Sequence, residues 1–155
     1  EKTEQKPSDI KERNLMKVFI SQNNNIMVST QEAENQVIDI RQLKEKAKEF
    51  VLNPFDLETL PEKKVKEIEL ADGSKWSYPV SEGVISLQND RGTSYEAYIM
   101  VQNELTRAFN EVRNELSKEK YGMEFTDLGE AARKSITDAV PLKISEAEPR
   151  NVGGK

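Results

Sequence analysis

The side chains in this chain best suited to chemistry are carboxylates, and Asp90 and Glu96 flank one short polar loop. Two carboxylates at a fixed separation in a cleft can act as general acid and base, as in glycoside hydrolysis. The chain has 28 acidic residues, so some pair lies at almost any spacing. Solvated surface charge is therefore the simpler interpretation of this pair.

Histidine and cysteine are both absent from the 155 residues. Histidine is the usual general base near neutral pH, and cysteine thiolates act as nucleophiles and metal ligands. Their absence weighs against a hydrolytic enzyme and against a transition-metal site. We therefore expect no catalytic residue, no bound metal and no cofactor.

The loop Asn89–Ser94 stands between a short apolar segment and a helical pattern. Helix N-termini at the ends of strands attract anions, so this loop is a candidate ligand site. The loop contains a single glycine, Gly92, which is not enough to indicate a phosphate-binding loop. A turn followed by a capping box, with Thr93 and Glu96 as its two members, explains the same residues.

Composition limits the classes of partner. Hydrophobic residues make up 35% and charged residues 33% of the chain, which indicates one modest core under a highly charged surface. The net charge of -5 argues against nucleic acid, and basic groups such as Lys63-Lys64 are interrupted by acids. No apolar run approaches the roughly 20 residues that span a bilayer.

The first half predicts a hairpin and a helix. Residues 16–20 and 26–30 alternate as strands around an Asn-rich turn, and residues 31–37 form a polar connection. Asp39 and Gln42 predict a capping box, and Asn53-Pro54 ends the helix. The buried stripe of this helix is Ile40, Leu43, Ala47, Phe50 and Val51.

The second half begins with an insert at about 54–82, containing a hairpin around Asp72-Gly73. A strand at Val84–Leu87, a helix ending at Gly122 and a final strand at Leu142–Ser145 follow. Asp127 and Glu130 predict one more capped helix, to about Ala139. The buried face of the long helix is predicted as Tyr95, Tyr98, Ile99, Leu105, Phe109, Val112 and Leu116.

The order β-β-α-β-α-β predicts an α+β fold: a small mixed sheet with two main helices on one face, plus the inserted segment and an extra helix. We expect residues 1–14 to be a flexible linker, 15–148 the domain, and 149–155 a mobile tail.

Two features suggest contacts with other proteins. Trp76 and Tyr78 of the insert either cover the edge of the core or meet a partner, and both readings stay open. Short strands also leave unpaired edges, which can add a strand from a second copy or a partner unless charges such as Lys143 and Glu146 shield them. The candidate pairing residues are Val84, Ile85, Leu87, Leu142 and Ile144.

The stretch VISLQNDRGTSYEAYIMVQNELTRAFNEVR resembles the core of the ExbD/TolR family, in the ExbD form of Bacteroidetes-type bacteria. That family has a strand, a short polar loop containing Asp, and then Tyr-Glu opening the second helix. Here the loop residue is Asp90, and Tyr95 with Glu96 begins the helix. The helix IDIRQLKEKAKEFVLNP and the ending ISEAEPRNVGGK are also similar to the family, so the resemblance covers most of residues 14–155.

The resemblance implies the periplasmic domain of a single-pass inner-membrane protein, with its transmembrane helix upstream of residue 1. It also implies a homodimer that works with an ExbB-like protein through that helix and with a TonB-like protein. Such complexes use the proton gradient to energise TonB-dependent import across the outer membrane. A TolR-like protein of envelope integrity, which binds peptidoglycan, is the alternative.

Two departures from the family limit what can be carried over. The family's proton-carrying Asp belongs to the transmembrane helix, so no residue of this chain receives that role. Residues 53–82 and 123–139 exceed the compact family domain, and the resemblance implies nothing about them.

Overall fold

The computed structural model describes residues 10–150; most of the predicted linker, 1–9, and tail, 151–155, lies outside the described residues. Residues 12–14, which the linker prediction included, form a short 3-10 turn. Arg13 Nε donates to the carbonyl of Leu60 at 2.7 Å, and Asn14 is buried. The strands are β1 Leu15–Ile20, β2 Ile26–Ser29, β3 Gln36–Ile38, β4 Lys63–Glu69, β5 Lys75–Ser81, β6 Val84–Asn89 and β7 Ile144–Glu146, and the helices are α1 Ile40–Leu52, α2 Tyr95–Tyr121 and α3 Glu130–Ala139.

Five strands form the main sheet, in the order β3-β2-β1-β6-β7. β1 is antiparallel to β2 and parallel to β6, and β6 is parallel to β7. β4 and β5 form a separate antiparallel hairpin. The α+β class and the mixed sheet are thus confirmed. The segment predicted as a polar connection, 31–37, overlaps a further strand, β3, which pairs with β2.

One face of the sheet holds the core, because side chains alternate along each strand. The opposite face carries Lys17, Phe19 and Met27, which are exposed or partly exposed. α1 and α2 pack on the buried face, as predicted. Its buried residues are Met16, Val18, Ile20, Ile26, Val28, Ile85 and Leu87.

The predicted capping box of α1 is confirmed. Asp39 Oδ1 accepts from the Arg41 amide at 2.8 Å, and Gln42 Oε1 accepts from the Asp39 amide at 2.8 Å. At the other end Asn53 takes the left-handed conformation, with φ of 41°. The four predicted stripe residues from Leu43 onward are buried, and Ile40 is partly buried.

The start of α2 corrects two predictions. The N-cap residue of α2 is Ser94, one residue after the predicted Thr93. Its Oγ accepts a hydrogen bond from the Ala97 amide at 3.1 Å. Thr93 instead donates its hydroxyl to the carbonyl of Ile20, tying the loop to β1. Tyr95 is 78% exposed, not buried, because the buried stripe of α2 runs through Val101 and Leu105, and Tyr95 lies off that line.

α3 lacks the predicted side-chain cap, since its N-cap residue is Gly129 and Asp127 lies in a preceding 3-10 turn. The helix nevertheless packs into the main core through Ile136, which is fully buried. Ser135 joins it to the hairpin, donating its hydroxyl to the Glu69 carbonyl at 2.7 Å. The β4–β5 hairpin and α3 therefore support each other as one extension of the main sheet and its two helices.

Trp76 and Tyr78 cover the edge of this extension. Their ring centroids lie 4.9 Å apart, and both rings are partly buried against the core. The ammonium of Lys120 lies 4.6 Å from the centre of the Trp76 ring. Of the two readings open from the sequence, the structure favours packing at the edge of the core.

The ion pairs between α1 and α2 make the stability of the domain depend on acidic pH. Lys44 and Lys48 lie 2.6 and 3.1 Å from the Glu111 carboxylate, and their hydrogen bonds lower its pKa below the ordinary 4.5. A lowered pKa gives stability that is present above about pH 4.5 and is lost as the pH falls through the folded value.

We expect the urea midpoint to stay level between pH 6 and 8, since the chain has no histidine, and to fall below about pH 5. Urea titrations at several pH values measure this. Glu111→Gln should reduce the acid-side fall, and an unchanged fall would contradict the assignment.

Candidate partner-binding site

β6 has no free edge, which corrects part of the predicted site. It pairs with β1 on one side and with β7 on the other. Its residues Val84, Ile85 and Leu87 are buried. The prediction that they offer a pairing edge is wrong, because β7 already occupies the position that a partner strand would take.

β7 is the edge strand beside β6, and its register fixes which backbone groups face outward. The Ile85 amide donates to the Lys143 carbonyl at 3.0 Å, and the Ala147 amide donates to the Leu87 carbonyl at 2.9 Å. In a parallel pair, the backbone groups of alternate residues face the neighbouring strand. Ile144 and Glu146 are the residues of β7 whose N–H and C=O groups point away from β6. These groups have no strand partner within residues 10–150.

The two predicted pairing residues at this edge, Ile144 and Leu142, differ in their position relative to β7. Ile144 lies in β7, with its side chain packed against the core and its backbone groups facing outward. Leu142 precedes β7 and is 49% exposed, so it adds a side chain beside the edge without belonging to the strand. A strand added here would find outward-facing backbone donors and acceptors on Ile144 and Glu146.

Side chains of α2 hold this edge strand from the core side. Tyr98 donates its hydroxyl to one oxygen of Glu146, and Gln102 Nε2 donates to the other at 2.6 Å. Burial and the hydrogen bond to Glu146 raise the pKa of Tyr98, so its hydroxyl stays protonated at neutral pH. The i,i+4 spacing of Tyr98 and Gln102 was the available sequence signal for this anchor.

We expect Tyr98→Phe to loosen β7 while the domain stays folded. One hydrogen bond to a carboxylate is lost, at about 1 kcal/mol. Amide exchange at Ser145 and Ala147 should then accelerate about fivefold. Tyr95→Phe, at an exposed tyrosine, is the matched control, and equal exchange rates in the two variants would contradict this anchoring role.

The loop at the end of β6 is a turn held by hydrogen bonds, not an open loop shaped for a ligand. Asp90 is 2% exposed, and its Oδ1 accepts from the Gly92 amide at 2.7 Å. A β-carbon on Gly92 would lie 3.1 Å from that of Gln22, so the loop sits close against the β1–β2 turn. This geometry corresponds to the turn reading of the loop.

The structure does not bring Asp90 and Glu96 together as a paired site. Asp90 is buried in its own turn, whereas Glu96 is exposed in the first turn of α2. Within the described part of the chain, no cluster of three or more acidic residues is placed to hold a metal ion.

No helix within residues 10–150 is both long enough and apolar enough to cross a membrane. Comparison with known proteins identifies no relative: no family model, no curated protein and no solved structure matches this chain.

Proposed function

We propose that this chain is the periplasmic coupling domain of an ExbD-type energy-transducing protein, not an enzyme. In this proposal the domain is anchored to the inner membrane upstream, associates there with an ExbB-like protein, and acts on a TonB-like partner. The observation that carries the proposal is the open edge of β7, with the outward backbone groups of Ile144 and Glu146.

The arrangement around α2 supports the family assignment. The family pattern is a strand, a short polar loop containing Asp, and a helix opened by Tyr-Glu. In this chain β6 leads through Asp90 into α2, whose first two residues are Tyr95 and Glu96. The Asp is buried and shapes the turn, which gives a structural reason for an acidic residue at that place.

The edge of β7 suits a partner that arrives as an extended segment. Backbone pairing supplies affinity along such an edge, and side chains at alternate positions select the partner. Anchoring by Tyr98 and Gln102 keeps the strand in place before pairing, which lowers the ordering cost of binding.

The test is co-purification of the full-length protein from membranes. Recovery of a TonB-like protein with wild type, and its loss with Ile144→Pro, is the expected result. Co-sedimentation with peptidoglycan, without a TonB-like protein, would instead favour a TolR-like role in envelope integrity.

A further inference from the structure

A cavity of about 220 Å³ opens where the end of α1, the β4–β5 hairpin and the end of α3 meet. Its wall is mostly apolar and includes Phe109 and Val112 of α2, which both belong to the core. An apolar cavity of about 150 Å³ can accept a benzene ring. This cavity therefore has room for one substituted ring or a short aliphatic chain.

The wall of the cavity offers water few hydrogen-bond partners. Three prolines contribute to it, Pro54, Pro79 and Pro141, and proline has no backbone N–H to donate. The hydroxyl of Ser81, also in the wall, already accepts from the Gly83 amide at 3.1 Å. An enclosed water needs about two to four polar partners, so an apolar group fills this space better than water does.

A partly buried cation, Arg113 of α2, lies beside this wall at the end of α3. Its Nε donates to the carbonyl of Val140 at 2.8 Å, and Val140 is part of the cavity wall. Burial lowers the pKa of Arg113, and among residues 10–150 no carboxylate forms an ion pair that would offset this cost. The guanidinium therefore keeps its terminal nitrogens for an anion that comes from outside this part of the chain.

Lys63 also lies in the cavity wall, but its charge is already matched. Its Nζ lies 2.9 Å from Asp56 Oδ1. An anion that enters the cavity would have to displace Asp56 to reach Lys63, whereas at Arg113 it displaces no carboxylate of the described residues. The apolar space and the guanidinium of Arg113 together select a ligand that has one apolar group and one negative charge.

We propose that the cavity binds small organic acids, with an aromatic ring or a short aliphatic chain in the apolar space and the carboxylate on the guanidinium of Arg113. Arginine and a carboxylate form a charge-assisted pair of two parallel hydrogen bonds, which is strong and geometrically specific. The inference goes beyond the proposed function, because none of the residues that carry it belongs to the β7 edge.

The test is titration of the wild-type chain with benzoate, followed by the NMR signals of the Val112 and Val140 methyl groups in the cavity wall. These signals should shift to saturation, with a dissociation constant of about 1 mM or below. Benzamide, a neutral molecule of the same shape, and acetate, which lacks the ring, should each bind about tenfold or more weakly. Equal binding of benzoate and benzamide, or no saturable shift at these valines, would overturn the inference.

Variants then locate the carboxylate. Arg113→Gln should weaken benzoate binding about tenfold or more and leave benzamide binding unchanged, whereas Arg107→Gln, at an exposed arginine of the same helix, should change neither. Ser81→Trp fills the cavity from its wall and should weaken both ligands. Equal effects of Arg113→Gln and Arg107→Gln on benzoate would contradict the inference. Ile144→Pro should bind benzoate as wild type does, so a failure here leaves binding at β7 untouched.

Discussion

Ile144→Pro is expected to abolish binding of a TonB-like partner while the domain remains folded. Proline lacks a backbone N–H, and at this position the N–H faces outward from the sheet. The ladder to β6 uses the groups of Lys143, Ser145 and Ala147 instead, so the edge strand itself keeps its pairing. Binding measured by calorimetry should fall by at least about tenfold, and circular dichroism should be unchanged.

Two matched variants separate the loss of the Ile144 N–H from the other effects of the proline substitution. Ile144→Ala removes the same side chain but keeps the N–H, so it should retain binding at the cost of some packing. Ser145→Pro removes a donor that faces β6, so it should destabilise the domain. Loss of binding by Ile144→Ala, or normal binding by a folded Ile144→Pro, would show that strand addition at β7 is not the contact.

Ile136→Ala is expected to destabilise the whole domain by about 2–5 kcal/mol. Ile136 is fully buried and belongs to the same core cluster as the strands of the main sheet and α2. A cavity at this place therefore weakens the entire core rather than α3 alone. Chemical denaturation followed by both tryptophan fluorescence and far-UV circular dichroism should show one transition, shifted to lower denaturant.

Lys134→Ala is the control for that measurement. Its side chain is 75% exposed and forms a surface ion pair with Asp138, so the change should stay within about 0.5 kcal/mol. Two separate transitions in Ile136→Ala, with Trp76 in the hairpin reporting the earlier one, would contradict the single core. They would instead show that the hairpin and α3 form an independently melting unit.

Local signals predicted most of the elements correctly. The Asp39–Gln42 spacing predicts the cap of α1, and Gly122 ends α2 with φ of 74°, because both effects depend on residues close in sequence. β3 was missed because Gln36–Ile38, with three residues, is too short to show a strand period. Its position depends on pairing with β2, which is a tertiary contact.

The candidate site was predicted only in part, for the same reason. Val84–Leu87 reads as a strand from its composition, but which strand lies at an edge is decided by sheet order. A mostly apolar run is itself typical of an interior parallel strand, and in Val84–Leu87, where Ser86 is the one polar residue, this was the signal against an edge. Ile144 was identified as a pairing residue, whereas the anchoring of Glu146 by α2 was not.

Hydrogen exchange at the amides of Ile144 and Glu146 tests the central claim most directly. In the free domain both amides face outward from β7 and should exchange rapidly, whereas those of Ser145 and Ala147 should be protected by β6. Adding the periplasmic segment of a TonB-like partner should protect Ile144 and Glu146. Saturating partner that leaves both amides unprotected, while protection appears at another surface, would contradict the claim.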